Sequence, residues 1–268
     1  MDIYFDTNKT EQRRRKLNDI YKEFYCDNQR CKYYNECSQE PTSKGFINGY
    51  DSSYSAKLGE WYDLYINGKP LRIVVVGKEA PSKSLPLSKP ARLSDFKSEN
   101  GKGRVNKHYQ ETYKMLCYMF NHSSGKKLVQ QQGAVLKAFC LTNLYRCAFK
   151  KNPNDRTGLK NNVTQFQNCR KILQKELQVL EPTILILQNR ELKAIAFYLD
   201  SELISGSDRL YYSRQNDCYI IESAHPCVQN STWYKFEFPL FKKQVNYLQN
   251  LGVLPTEDVY VVFDAMEV

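Results

Sequence analysis

Four short apolar runs, at residues 71–76, 138–144, 183–187 and 218–222, constrain this chain more than any other feature of it. From Leu71 to Val76 the run is nearly all apolar, so a strand built from it needs cover on both faces. Runs of this kind that alternate with helical patterns predict an α/β fold: a three-layer α/β/α sandwich with a central, mostly parallel four-stranded sheet. At 268 residues the chain has ample sequence to bury a core. We expect a single domain over 1–268, with residues 1–60 forming an N-terminal helix and cysteine-rich extension packed on it.

Periodicity places the remaining elements. A helix is expected over 9–25, with Leu17, Ile20, Tyr21 and Phe24 apolar beside a basic face from Arg13 to Lys16. Further helices are expected over 106–120, 163–180, 191–203 and 233–251. The segment 62–68 reads as a strand running into a turn at Asn67-Gly68, residues 210–213 and 218–223 as a hairpin, and 259–263 as an edge strand. From Lys78 to Val105 the chain is rich in Ser, Lys, Pro and Gly; loops that long are uncommon unless they bind something or are disordered.

Charge suggests the partner. Lys and Arg number 39 against 29 Asp and Glu, a formal net charge of +10, which favours a polyanionic partner. No apolar run approaches the roughly 20 residues a membrane helix needs, and the first residues lack the apolar core of a secretion signal. A cytoplasmic protein with no membrane partner is therefore expected. The nine cysteines then read as reduced thiols or metal ligands rather than a disulfide framework. Cys117 and Cys140 lie in apolar runs as core fillers, whereas Cys26, Cys31 and Cys37 cluster in a polar, aromatic segment.

In open α/β sheets, ligands sit beyond the carboxyl ends of the strands. That rule selects Gly77-Lys78-Glu79-Ala80-Pro81-Ser82, Tyr145-Arg146-Cys147, Gln188-Asn189-Arg190-Glu191 and Ala224-His225-Pro226-Cys227, with Asn143 closing the second strand. They bring a carboxylate (Glu79), an amide able to read a base edge (Asn143) and an imidazole (His225) to successive strand ends.

These segments, in this order, resemble the three signature segments of the uracil-DNA glycosylase superfamily, closest to its iron–sulfur branch. The resemblance implies a DNA glycosylase acting in base excision, in DNA repair or phage defence. Its substrate would be a flipped-out uracil or modified base. Alternatives are a glycosylase for hypermodified phage DNA bases and a non-enzymatic nucleic-acid-binding protein on the same scaffold. Glu79 would act near the sugar and His225 on the base oxygen, while Asn143 would read the base. Tyr109 would give an aromatic platform, with Ala80 beside the base. Lys78, Ser82, Lys83, Gln229, Asn230 and Ser231 would face DNA, and Lys150, Lys151, Arg156 and Lys235 would add positive charge. Lys78, Ser82 and Cys227 depart from the family pattern, which leaves the identity of the base open.

In that branch two cysteines lie near the N-terminus, one follows the Asn strand and one sits on the next helix. Cys147 and Cys169 match the last two, while Cys26, Cys31 and Cys37 compete for the first two. Four thiolates hold a [4Fe–4S] cluster, and structural zinc is the alternative.

Overall fold

The computed structural model of this chain describes residues 1–26, 30–39, 46–48, 56–79, 107–120, 134–145, 148–150, 163–189, 200–226, 232–257 and 259. Strand β1 (Ile3–Phe5) leads into helix α1 (Thr7–Phe24), which Asp6 caps by accepting the Lys9 backbone N–H at 2.8 Å. A ribbon of β2 (Tyr25–Cys26) and β3 (Arg30–Cys31), the short helix α2 (Tyr34–Gln39) and strand β4 (Phe46–Asn48) follow. Next come β5 (Lys57–Leu58), β6 (Leu64–Ile66), β7 (Lys69–Leu71) and β8 (Ile73–Glu79). The second half holds α3 (Lys107–Met119), α4 (Ala134–Lys137), β9 (Phe139–Tyr145), β10 (Ala148–Lys150), α5 (Val163–Leu180) and β11 (Ile184–Leu187). Strands β12 (Ser201–Leu203), β13 (Leu210–Ser213) and β14 (Cys218–Glu222) precede a π-helical turn (Trp233–Glu237) that runs straight into α6 (Phe238–Asn250).

The main sheet has seven strands in the order β12-β13-β14-β11-β8-β9-β5, which corrects the expected four. The four expected strands are its centre: β14, β11, β8 and β9 are mutually parallel. The three additional strands are antiparallel and lie at the edges. Of these, β13 is the expected hairpin partner of β14, whereas β12 and β5 escape a search for apolar runs because they have only three and two residues. Residues 1–60 thus do more than pack on the sheet, since Lys57 and Leu58 pair with Leu141 and Cys140 as its last strand. Ser201 to Leu203 is strand where a helix was expected to end, entered through Asp200 at a φ of 52°; residues 190–199 lie outside the described residues. Of the expected edge strand at 259–263, only Val259 is described. The turn at Asn67-Gly68 forms as expected: φ values of 49° and 75° give the doubly left-handed turn that matches strand twist. Its strands belong to a separate three-stranded sheet, β1-β6-β7.

Alternating side chains divide the central strands between two helical layers. Ile73, Val75, Phe139, Leu141, Ile184, Ile186 and Ile221 pack with Leu116 of α3 and with Phe241 and Val245 of α6. Val74, Val76, Cys140, Leu185, Leu187 and Ile220 pack with Leu17, Ile20 and Phe24 of α1 and Ile172, Leu173 and Leu177 of α5. Helices therefore cover both faces, as near-continuous apolar strands require. Cys117 and Cys140 are buried as expected, and burial pushes the Cys117 thiol up to about 12.

One position of α1 departs from expectation. Arg13 does not belong to an outer basic face; it occupies the buried stripe with Thr10, Leu17, Ile20 and Phe24. There its Nε donates to both oxygens of Asp63, at 3.1 and 3.0 Å, and its Nη2 to Glu181 at 2.8 Å. Buried and fully paired, the guanidinium is no longer a surface charge.

Candidate functional site

Because the four central strands are parallel, their carboxyl ends share one edge of the sheet. Val76 pairs with Leu187 on one side and Thr142 on the other, and Leu187 pairs with Glu222. The register carries on past them: Gly77 stands opposite Asn143 and Glu79 opposite Tyr145. The backbone N–H of Gln188 donates to Val76 at 2.9 Å, and that of Ser223 to Leu187 at 2.8 Å. The Glu79, Asn143, Gln188 and His225 segments thus leave the sheet side by side. At roughly 4.8 Å per strand, the Asn143 and His225 ends stand about 14 Å apart, with the β8 and β11 ends between them. Both can act on one molecule only if it bridges that width.

The closest pairing is between Gly77 and Asn143. A Cβ at position 77 would lie 2.5 Å from Asn143 Oδ1, a separation real Cβ atoms do not adopt. The missing side chain of Gly77 is what lets the Asn143 amide lie over β8. Behind the same strand, Thr142 faces the other layer, where its hydroxyl donates to Glu176 at 2.8 Å. Glu176 is fully buried in α5 and also accepts from the Tyr21 hydroxyl at 2.6 Å, which itself accepts the Ala56 N–H at 2.8 Å. The residue before Asn143 is thereby tied to α5 and α1.

A second network links the edge to α3 and to the segment after His225. Gln188, fully buried, donates from Nε2 to the Thr112 hydroxyl at 2.8 Å. The neighbouring Glu111 is 1% exposed and gathers three donors: Trp233 Nε1 at 3.0 Å, the Tyr234 hydroxyl at 2.5 Å and Lys114 Nζ at 2.9 Å. Burial works to lower the Lys114 pKa, but its hydrogen bonds to Tyr234 and Glu111 outweigh that and raise it. Burial and the bond to Glu111 push the Tyr234 phenol up as well. At neutral pH Lys114 therefore keeps its charge and the Tyr234 phenol its proton. Sequence reasoning missed these residues. Glu111 and Lys114, three apart on a helix, look like a solvated pair until Trp233 and Tyr234 close over the carboxylate.

Among the other expected site residues, His225 is half-buried just past β14, next to buried Pro226. Lys235 is exposed on the π-helical turn. Lys78 and Glu79 are placed on β8 and Tyr109 on α3, but their side chains lie outside the described residues, as does the Lys150 side chain on β10. Ala80, Ser82, Lys83, Lys151, Arg156, Gln229, Asn230 and Ser231 lie outside the described residues altogether. So do residues 80–106, 146–147, 190–199 and 227–231.

The cysteine-rich segment packs against the helix that carries Cys169. Cys31, Cys37 and Cys169 are 7%, 8% and 4% exposed, and none is in a disulfide. Asn168 joins the two elements: its Nδ2 donates to Glu36 at 3.0 Å and to Cys37 Sγ at 3.7 Å. Buried sulfur from two separate segments, with an amide donor on one of them, suits a thiolate site. Among the described residues no three Cys, His, Asp or Glu side chains stand close enough to hold a metal. Cys147 and the Cys26 side chain, two of the five expected ligands, lie outside the described residues.

Among the described residues no helix is long and apolar enough to cross a membrane. Comparison with known proteins gives no match, either to a protein-family model or to a curated protein.

Proposed function

We propose that this chain is a DNA glycosylase of the uracil-DNA glycosylase type, which hydrolyses the N-glycosidic bond of a uracil or modified base turned out of its strand. The observation that carries this reading is the shared edge. Four parallel strand ends deliver the Glu79, Asn143, Gln188 and His225 segments side by side, with Asn143 seated over Gly77. The Asn143 amide already reaches from its own strand end over Gly77 toward the middle of the edge, where one extruded base would meet it on one side and His225 on the other.

Hydrolysis breaks the bond between C1′ and the base nitrogen; the oxygen of water goes to C1′ and a proton goes to the departing base. Positive charge grows on the sugar and negative charge on the base as the bond lengthens. The Glu79 carboxylate would counter the first and orient the water. A hydrogen bond from His225 to a base carbonyl oxygen stabilises the second, at a preorganised donor of the oxyanion-hole kind. The Asn143 amide pairs with the base edge, and Tyr109 stacks on its face. A base other than uracil fits the departures at Lys78, Ser82 and Cys227. Cys147 and Cys169, with two of Cys26, Cys31 and Cys37, would hold a [4Fe–4S] cluster or a zinc ion, which when bound supplies a structural cross-link between their segments.

The test is incubation with labelled oligonucleotides carrying uracil, hypoxanthine or modified cytosines, followed by alkali. Scission at one of these bases is the expected result, and the base cut names the substrate. Binding without an abasic product anywhere in the panel would overturn the enzymatic reading in favour of a nucleic-acid-binding protein.

A further inference from the structure

The π-helical turn after His225 has a shape of its own. Its two end residues, Trp233 and Glu237, are buried at 0% and 5% exposure. Trp233 is held by Glu111, and Glu237 by the guanidinium of Arg209, whose backbone carbonyl accepts the N–H of Glu222 at the end of β14. The three residues between are all exposed: Tyr234 at 45%, Phe236 at 54%, and Lys235 between them. Two positions apart on a helical turn, the two rings point to opposite flanks. The result is an exposed ridge of two aromatic rings and a cation, with Lys235 Nζ 5.3 Å from the Phe236 ring centre. Tyr234 is fixed through its hydroxyl to Glu111, and Lys114 Nζ lies 5.3 Å from its ring centre. Short π-helical turns recur at functional sites, and an exposed aromatic pair on an anchored turn is not needed for the core.

We propose that this ridge is where a DNA strand bends beside the site, with one unpaired base stacked on Tyr234, another on Phe236 and a phosphate near Lys235. The choice of DNA as occupant rests on the glycosylase reading, and two observations independent of it agree. The ridge adjoins the carboxyl edge of the sheet through Glu111, Thr112 and Gln188, and the chain carries a net charge of +10. Every nucleobase has a ring face, so the surface recognises single-stranded DNA without reading sequence. Anchoring both ends of the turn in advance lowers the ordering cost of binding.

The experiment measures fluorescence anisotropy of the full chain with two single-stranded probes of equal phosphate number. One is an oligothymidylate, and the other an abasic oligomer of tetrahydrofuran units. Wild type should bind the thymidylate more tightly. Tyr234→Ala and Phe236→Ala should each weaken thymidylate binding at least about fivefold and leave abasic binding unchanged. Phe236→Trp should retain affinity. Lys235→Ala should weaken both probes alike and lower the salt slope by about one. Equal affinity of wild type for the two probes, or ring variants that bind thymidylate normally, would overturn the proposal. Base-dependent binding without excision would remove the glycosylase reading and leave the ridge standing; excision with unaffected ring variants would remove the ridge alone.

Discussion

Replacing Gly77 with alanine tests the core of the site with a single methyl group. The new Cβ would lie 2.5 Å from Asn143 Oδ1 and 3.7 Å from its Cγ, so the conflict is with a side chain and the backbone is spared. Gly59 is a useful contrast, since a Cβ there would meet the Lys137 carbonyl oxygen at 2.0 Å, which no rotamer change relieves. At Gly77 the relief is rotation of the Asn143 amide away from β8, together with a small shift of a central strand pair. Overpacking of this size costs about 1–3 kcal/mol. For a chain of this length that lowers the melting temperature by roughly 2 to 10 °C. The protein should therefore stay folded at 25 °C while Asn143 leaves its place. With the oligonucleotide cut by wild type, Gly77→Ala should lose base excision by at least about tenfold, the factor that a lost positioning contact of about 1.4 kcal/mol produces. Scanning calorimetry separates this from unfolding. Wild-type excision by Gly77→Ala, with an unchanged melting temperature, would refute the claim that glycine is there to seat Asn143.

The other predictions concern the chemistry, the frame and the thiols. Glu79→Gln and His225→Ala should each lose most excision while melting normally, and near-wild-type cleavage by both would remove the site assignment. Glu176→Ala leaves the buried Thr142 hydroxyl short of a partner, at about 1–3 kcal/mol, removes a contact of the half-buried Tyr21 hydroxyl, and should lower the denaturant midpoint without changing its slope. The hydrogen bond from Arg13 holds the Glu181 carboxylate below its ordinary 4.5 against an opposing effect of burial. A lowered folded-state pKa means that stabilisation is present above about 4.5 and is lost as acid takes the pH down through the folded value. Glu181 is largely exposed, so Glu181→Gln should cost less than about 1 kcal/mol at neutral pH and flatten the fall of melting temperature between pH 5 and 3; parallel profiles would refute it. Purified protein should carry iron with a brown colour, or stoichiometric zinc, and Cys169→Ser should reduce that content; metal-free wild type that melts normally would remove the thiolate centre.

Four central strands and α5 were legible in the residues because their signals are local. An unbroken apolar run says that a strand is covered on both sides, and the spacing of Val163 to Leu180 marks its helix end to end. Those strands sufficed to point to Glu79, Asn143 and His225, since the rule of strand ends needs no knowledge of strand order. What remained hidden depends on partners far away in the chain. Arg13 is an outer cation by composition and a buried one by contact, because Asp63, 50 residues on, meets it in the core. Glu111 becomes a buried carboxylate only when Trp233, 122 residues later, folds onto it. Lys57 and Leu58 carry too few residues to signal a strand, yet β9 has an open edge and its unpaired backbone groups recruit them. The order of the strands, and with it the placing of Asn143 over Gly77, comes from packing two helical layers on a twisted sheet; one stretch of chain cannot encode it, because the energy lies in contacts between stretches.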